Sequence, residues 1–350
     1  RQVIAAGAYR NLGISYCQLG SVQEGIAQLR QALRLYGEAE SPYGQALTHA
    51  DLGVALGLAG NMAASELHLE EALQLWERMG HAGNIANVLN NLANAQQVRG
   101  EHERALATFE RALSSAQRAG SRRLQAIIWA GKGDVYRETA CWEDALRAYN
   151  EAWQLAESLR DLSLLGYLLN ATAEVHRARG EYAQALALAR RAYEQATERG
   201  LTRDAARYEV TLAKLYLEQG HPPLALEYLQ RAEQTFSRGG MRRELPMVWL
   251  QLARVAWARR EDGVALDNVR RMAEAATELG HSYALIQEAA RALEVLELAA
   301  RAGVGGEFVA DLVRRARRSL LEERSQPTSQ AGEPTPLRLR IVGLGDSSVW

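Results

Sequence analysis

Residues 84–120 read NIANVLNNLANAQQVRGEHERALATFERALSSAQRAG. Ahead of Gly100, the apolar residues Ile85, Val88, Leu89, Leu92 and Ala93 recur at helical spacing, while Asn87, Asn90, Asn94 and Gln97 recur at steps of three and four. At about 100° per residue the four amides fall opposite Leu92, so one helix carries a hydrophobic stripe and a separate amide stripe. Past Gly100, a residue free to adopt turn conformations, Ala105, Phe109, Ala112 and Leu113 form a second apolar stripe that Gly120 closes as a helix C-cap. Two helices this short cannot bury both stripes alone, so the hairpin demands neighbours.

The same pattern recurs along the chain with a period of about 40 residues. The inter-helix turn falls at Gly20, Gly60, Gly100, Ala140, Gly180, Gly220 and Arg260. Ahead of each turn stands a pair whose second member is small: Leu12-Gly13, Leu52-Gly53, Leu92-Ala93, Lys132-Gly133, Thr172-Ala173, Leu212-Ala213 and Leu252-Ala253. After each turn come Gly25, Ser65, Ala105, Ala145, Ala185, Ala225 and Ala265, then Ala32, Ala72, Ala112, Ala152, Ala192, Ala232 and Met272. Small residues in these registers let helix backbones approach closely. Gly80, Gly120, Gly200, Gly240 and Gly280 close the period as C-caps.

Composition supports helix throughout. The 350 residues are 47% apolar and 24% charged, with three phenylalanines and seven prolines, and the alanine-, leucine-, glutamate- and arginine-rich remainder favours helix over sheet. A formal net charge of −1 gives no global electrostatic reason to expect nucleic-acid binding. Cys17 and Cys141 are the only cysteines, too few for a disulfide framework, which suits a reducing cytoplasm. No apolar run approaches the roughly 20 residues of a membrane span, so no membrane association is expected.

The small-residue pairs of LGVALGLAG, the A…F…A order of ALATFERAL and the two antiparallel helices per unit resemble the tetratricopeptide repeat over most of residues 1–300. The usual unit has about 34 residues, and these hairpins are longer by roughly a turn and a half of helix. Long units with N-N-L-A and a terminal R-x-G resemble repeats in large bacterial signal-transduction ATPases and their transcription activators, the maltose-regulon activator being the familiar case. The resemblance implies an all-α, right-handed superhelical solenoid and a cytoplasmic sensing or scaffolding role.

The array is expected to span 1–324, with units starting near 1, 41, 81, 121, 161, 201, 241 and 281. Past Gly280 the phase loosens. Tyr283, Ile286, Ala289, Ala290, Leu293 and Leu296 mark an eighth first helix, 303–306 a turn, and 308–323 a second helix with Arg314, Arg315, Arg317 and Arg318 outward, as a polar terminal unit requires. SQPTSQAGEPTP over 325–336 reads as a linker. Alternation of Leu337, Leu339 and Ile341 with Arg338 and Arg340 reads as a strand over 337–350, resembling the first strand of a winged-helix domain. Arg1 at the start and the apolar end suggest a piece of a longer protein, with DNA reached only through a domain missing from it.

The sequence contains no phosphate-binding G-x-x-x-x-G-K-[ST], no G-x-S-x-G elbow and no H-E-x-x-H pair, and the seven histidines stand singly along it. No catalytic residues, no metal and no cofactor are therefore expected. In tetratricopeptide arrays the first helices line a concave groove. The register that places them there gives Asn87, Asn90, Asn94 and Gln97, then Asp134 and Arg137, then Tyr167, Asn170, Glu174 and Arg177, then Arg207 and Lys214, then Arg254 and Trp257.

This channel is expected to begin small and apolar, become rich in amides and paired charges, and end cationic. Amides in a row suit an extended peptide or a sugar, because each offers a donor and an acceptor. Arg177, Lys214, Arg207 and Arg254 suit a carboxylate or phosphate, and Tyr167 and Trp257 offer flat faces for stacking. Against this, a solvated face is polar in any case, and Asp134 with Arg137 reads equally as a simple i,i+3 pair. Trp76, Trp142, Trp153 and Trp249 sit on or beside packing positions and are expected in the core.

The expectation is a non-enzymatic sensing scaffold of a bacterial transcription regulator, holding a protein or peptide partner, or a small effector, in the groove. The alternative is a constitutive assembly or self-association module, such as a homodimer, with no effector.

Overall fold

A computed structural model describes residues 1–279 and 283–325, with the side chains of Tyr283 and of residues 322–325 left out of account. Among the described residues every regular element is a helix. They pair as α1 (Gln2–Gln18) with α2 (Val22–Glu38), α3 (Pro42–Leu58) with α4 (Met62–Met79), α5 (Ala82–Val98) with α6 (His102–Arg118), and α7 (Arg122–Glu138) with α8 (Trp142–Leu159). Then follow α9 (Leu162–Ala178) with α10 (Tyr182–Glu198), α11 (Thr202–Glu218) with α12 (Pro222–Arg238), and α13 (Leu245–Ala258) with α14 (Asp262–Leu279). The last unit is α15 (Tyr283–Ala289), a 3-10 turn (Ala290–Ala292), α16 (Leu293–Arg301) and α17 (Gly306–Ser325).

The turns carry the regularity. Gly20, Gly60, Gly100, Gly180 and Gly220 take positive φ, and so do Ala140 and Arg260, where the 40-residue register places a turn without a glycine. Each turn closes with paired backbone hydrogen bonds, for example Gly100 N–H to the Gln97 carbonyl (2.8 Å) and Glu101 N–H to the Gln96 carbonyl (2.9 Å). Side chains of Ser41, Asn61, Ser121 and Asp161 accept from the N–H groups of Gly44, Ala64, Leu124 and Leu164, so four helices start on a capped turn. The seventh unit starts late, with α13 beginning at Leu245 and Pro246 in its first turn, where the missing N–H costs no helical hydrogen bond.

The small residues read from the sequence are where helices touch. Ala32, Ala72, Ala112, Ala152, Ala192, Ala232 and Met272 are all fully buried, as are Ala105, Ala145, Ala185, Ala225 and Ala265. A Cβ on Gly13 would lie 2.9 Å from the Gly25 carbonyl oxygen, so α1 and α2 meet backbone to backbone. Ser65 stands in the alanine register and spends its hydroxyl on the Gly53 carbonyl at 2.6 Å. Trp76 and Trp153 are buried and Trp142 and Trp249 half-buried, in line with a core role.

The solenoid winds back on itself. A Cβ on Gly20 would lie 3.3 Å from the Gly240 Cα, and one on Gly60 would collide with the Leu279 carbonyl, so the first two units abut the far end of the array. Arg203 Nη2 donates to the Gln18 carbonyl (3.1 Å) across the same seam. The eighth first helix is broken by the 3-10 turn at 290–292. The second helix runs over Gly306–Ser325, wider than expected at both ends, and its Arg314, Arg315 and Arg317 are exposed and paired with Glu307, Asp311 and Glu297. Gly280, the linker beyond Ser325 and the strand expected over 337–350 lie outside the described residues.

Candidate functional site

The concave positions divide into three zones. On α5, Asn87 and Asn94 are exposed, whereas Asn90 is only 6% exposed and its Oδ1 has no hydrogen-bond partner. Asn170, at the same register on α9, is half-buried and likewise leaves its Oδ1 unpartnered. The four amides of α5 are therefore not one uniform solvent-facing row, because Gln97 donates to Glu138 Oε1 at 2.9 Å. A buried carbonyl without a donor costs about 1–3 kcal/mol, so both unpartnered oxygens are held at an energetic cost.

Beside them, Asp134 organises a second zone. It accepts from the hydroxyls of Tyr149 (2.8 Å) and Tyr167 and lies 3.4 Å from Arg137, whose Nε is 3.2 Å from the Tyr149 hydroxyl. The i,i+3 pair is real but belongs to a larger network, and Tyr167 is anchored by its hydroxyl. Burial pushes the neighbouring Glu138 carboxyl up to about 7 against the pull of Arg137 and the Gln97 amide. Its Oε2 is 3.3 Å from His102 Nε2, and its backbone carbonyl accepts from Gln287 at 2.5 Å.

The third zone is a buried ion cluster. Arg177 is 3% exposed and bonds three carboxylates: Glu174 (2.8 Å) on its own helix, Glu218 (2.5 Å) on α11, and Glu288 on α15. Lys214 Nζ lies 3.4 Å from Glu174 and 3.3 Å from Glu288, and Thr211 donates to Glu174 at 3.0 Å. Arg254 donates to Gln251 at 2.7 Å and lies 3.9 Å from Glu288. Burial acts to raise the Glu174 and Glu288 carboxyls, but Arg177 and Lys214 outweigh it and hold both well below the usual carboxylate range.

The open cationic end expected from the sequence is thus filled by the chain itself. Arg207 is exposed but bonds Glu244 (2.8 Å), and the Trp257 indole donates to Glu294 (2.9 Å). Arg207 lines a separate cavity of about 760 Å³ along the seam, with Cys17, Asp51 and Arg243.

Sequence reasoning missed Glu138, Glu218, Gln251 and Glu288. Glu138 and Glu218 share one register, two residues ahead of the turn, and a longer register list would have found them. Glu288 lies where the phase loosens, and no spacing places it against Arg177. The histidines are not all solitary: His49 Nδ1 and His68 Nδ1 are 2.9 Å apart, and burial lowers both rings. No group of three or more metal-capable side chains occurs among the described residues.

Paired helices on a 40-residue register, wound into a solenoid whose first helices line its inner face, define the class as a tetratricopeptide-type scaffold. The model of the MalT-like TPR region matches residues 7–290, and the chain belongs to that family. Three solved structures share the fold. A Rap protein complexed with Competence and Sporulation Factor is 13% identical, with a TM-score of 0.65 over 92% of this chain and 100% of that one. The Rap conjugation gene regulator of plasmid pLS20, in complex with the Phr* peptide, is 13% identical, with a TM-score of 0.61 over 91% and 96%. A signal transduction ATPase with numerous domains and a tetratricopeptide repeat sensor, from Pyrococcus horikoshii, is 14% identical, with a TM-score of 0.55; the match covers 91% of this chain and 49% of that one. No curated protein matches the chain.

Proposed function

We propose that this chain is the non-enzymatic sensing scaffold of a cytoplasmic bacterial transcription regulator, and that it binds an extended peptide along the concave faces of α5, α7 and α9. The observation that carries the reading is the pair of unpartnered, buried amide oxygens on Asn90 and Asn170, in one register on alternate first helices. A peptide backbone presents N–H donors at regular intervals, and each unsatisfied Oδ1 accepts one. Asn87 and Asn94, exposed on the same helix as Asn90, extend the polar track. Two solved structures with this fold support the direction: one is a complex with a peptide, and one joins the repeats to a signal-transduction ATPase as a sensor. Linkage supplies the output, since a ligand that bridges several units favours one winding of the solenoid, which adjoining domains read.

The test is an array of immobilised randomised peptides probed with the wild-type chain and with Asn90→Ala/Asn170→Ala. Peptides that bind the wild type are expected to lose about tenfold or more in affinity to the double variant, the loss that follows from two missing hydrogen bonds. Hits that bind both forms equally overturn the groove reading.

A further inference from the structure

We infer that Arg177, Lys214 and Arg254 form a carboxylate-binding subsite of the groove, occupied in this structure by Glu288 of the same chain and taken over by the carboxylate of a peptide ligand when α15 withdraws. The inference rests on the groove being a peptide site and specifies one ligand group.

The repeat lattice explains the other two ion pairs of Arg177 and the contact of Lys214 with Glu174. Glu174 sits one turn away on the same helix, Glu218 comes from the next unit at a separation of 41, and Lys214 reaches Glu174 at a separation of 40. Arg10 with Asp51 and Gln97 with Glu138 repeat that separation of 41 elsewhere in the array. Glu288 departs from this rule: it meets Arg177 across 111 residues, from a seven-residue helix followed at once by a 3-10 turn. It meets the lattice from outside the repeat register, on a helix whose Leu285 and Ala289 are packed into the core of the last units. Gln287 beside it makes a second long-range contact, to the Glu138 carbonyl.

Charge defines what Glu288 supplies. Without α15, the three cations of the cluster face only Glu174 and Glu218, which leaves a positive excess in a buried place. Covering that excess again would desolvate an unpaired cation, so whatever takes the place of α15 over the cluster brings an anion. Arg291, which bonds Glu218 at 3.2 Å, belongs to the same segment as Glu288 and would leave with it.

The cluster is incompletely bonded at two of its carboxylates, Glu218 and Glu288, each with an unpartnered Oε2. Glu288 Oε1 takes the contacts from Arg177 and Lys214, while its Oε2 is buried without a hydrogen bond. The Arg254 guanidinium, 3.9 Å from that oxygen, donates to Gln251 instead. A carboxylate on a freely placed peptide can present both oxygens, which a side chain fixed to α15 does not do here. Asn170, Glu174 and Arg177 lie three and four residues apart on α9, so a peptide held at Asn170 reaches the cluster along one helix face.

The probe is a fluorescein-labelled, C-terminally amidated peptide with the sequence of residues 283–292, YALIQEAARA, followed by anisotropy against the full chain. Glu288→Gln removes the internal competitor, and its affinity for the probe is expected to exceed that of the wild type about tenfold or more, because a larger fraction of molecules is open. Adding Arg177→Met is expected to abolish the gain. The amidated peptide with glutamine in place of its glutamate should not bind, and the same glutamine peptide with a free C-terminus shows whether a chain end serves as the carboxylate.

Equal affinity of the wild type and Glu288→Gln, or equal binding of the glutamate and both glutamine peptides, overturns the inference. Sodium propionate against sodium chloride at equal ionic strength provides a second readout on Glu288→Ala. Propionate should raise the melting temperature of that variant and not of the wild type, and identical behaviour in the two salts counts as refutation. If both probes fail while array peptides still depend on Asn90 and Asn170, only this subsite falls. If no peptide binds any form, the groove reading falls with it.

Discussion

The amide zone around α5 and the charged zone around α9, α11 and α15 both sit on first helices of the array, and their polar groups are satisfied to different degrees. Asn90 and Asn170 hold buried oxygens that nothing in the chain answers. Arg177 has a carboxylate from three different helices. A formal charge cannot be left unpaired in a low-dielectric interior, whereas an amide oxygen can, at a cost of about 1–3 kcal/mol. The chain therefore pairs the cations of its charged zone internally, with one oxygen each of Glu218 and Glu288 still lacking a hydrogen bond, and leaves the buried Asn90 and Asn170 oxygens with no partner at all.

Breaking the charged zone has the largest expected effect. Arg177→Met leaves Glu174, Glu218 and Glu288 facing one another without their common partner, and removal of one partner from a buried ion cluster costs about 3–5 kcal/mol. Urea unfolding of the variant at neutral pH is expected to show that loss.

The border between the zones responds to pH. The Glu138 carboxyl is raised from 4.5 to about 7, so the folded chain holds that proton more tightly than the unfolded one. Its contribution is fully present below pH 4.5 and disappears as the pH rises to about 7, a span of up to about 3 kcal/mol. Glu174 and Glu288, with depressed pKa values, act in the opposite sense and only below the ordinary carboxylate range. Glu138→Gln is expected to remove the decline, so its advantage over the wild type in urea unfolding should widen from pH 5 to pH 8.

The smallest effect sharpens the amide zone. Asn90→Leu replaces an unsatisfied buried amide with an apolar group of similar shape and is expected to stabilise the chain by about 1 kcal/mol in thermal unfolding. On the proposed peptide groove, the same variant is also expected to lose binding to array peptides.

Legibility followed the period. Ala140 and Arg260 were assigned to turns from register alone, and both adopt the positive φ that the turn demands. Register makes the positions twelve residues past each turn, six alanines and Met272, packing positions, and all seven are fully buried. The site was legible only in part. Register placed Asn90, Asn170, Arg177 and Lys214 on the inner face, but not which of them would be exposed. Register alone makes Arg177 a cation of the groove wall, and the structure pairs it with Glu288, a residue from the stretch where the repeat loses phase. Arg207 was read into the same channel and instead pairs with Glu244 beside the seam.

By itself, then, the sequence determined the hairpins, their turns and the face each helix buries, because those depend on interactions within about one unit and recur with its period. The tertiary structure decided whether the inner face stays open. That depends on how far the solenoid winds before Gly20 meets Gly240 and Glu288 meets Arg177, a sum of small rotations at every packed interface that no single repeat encodes.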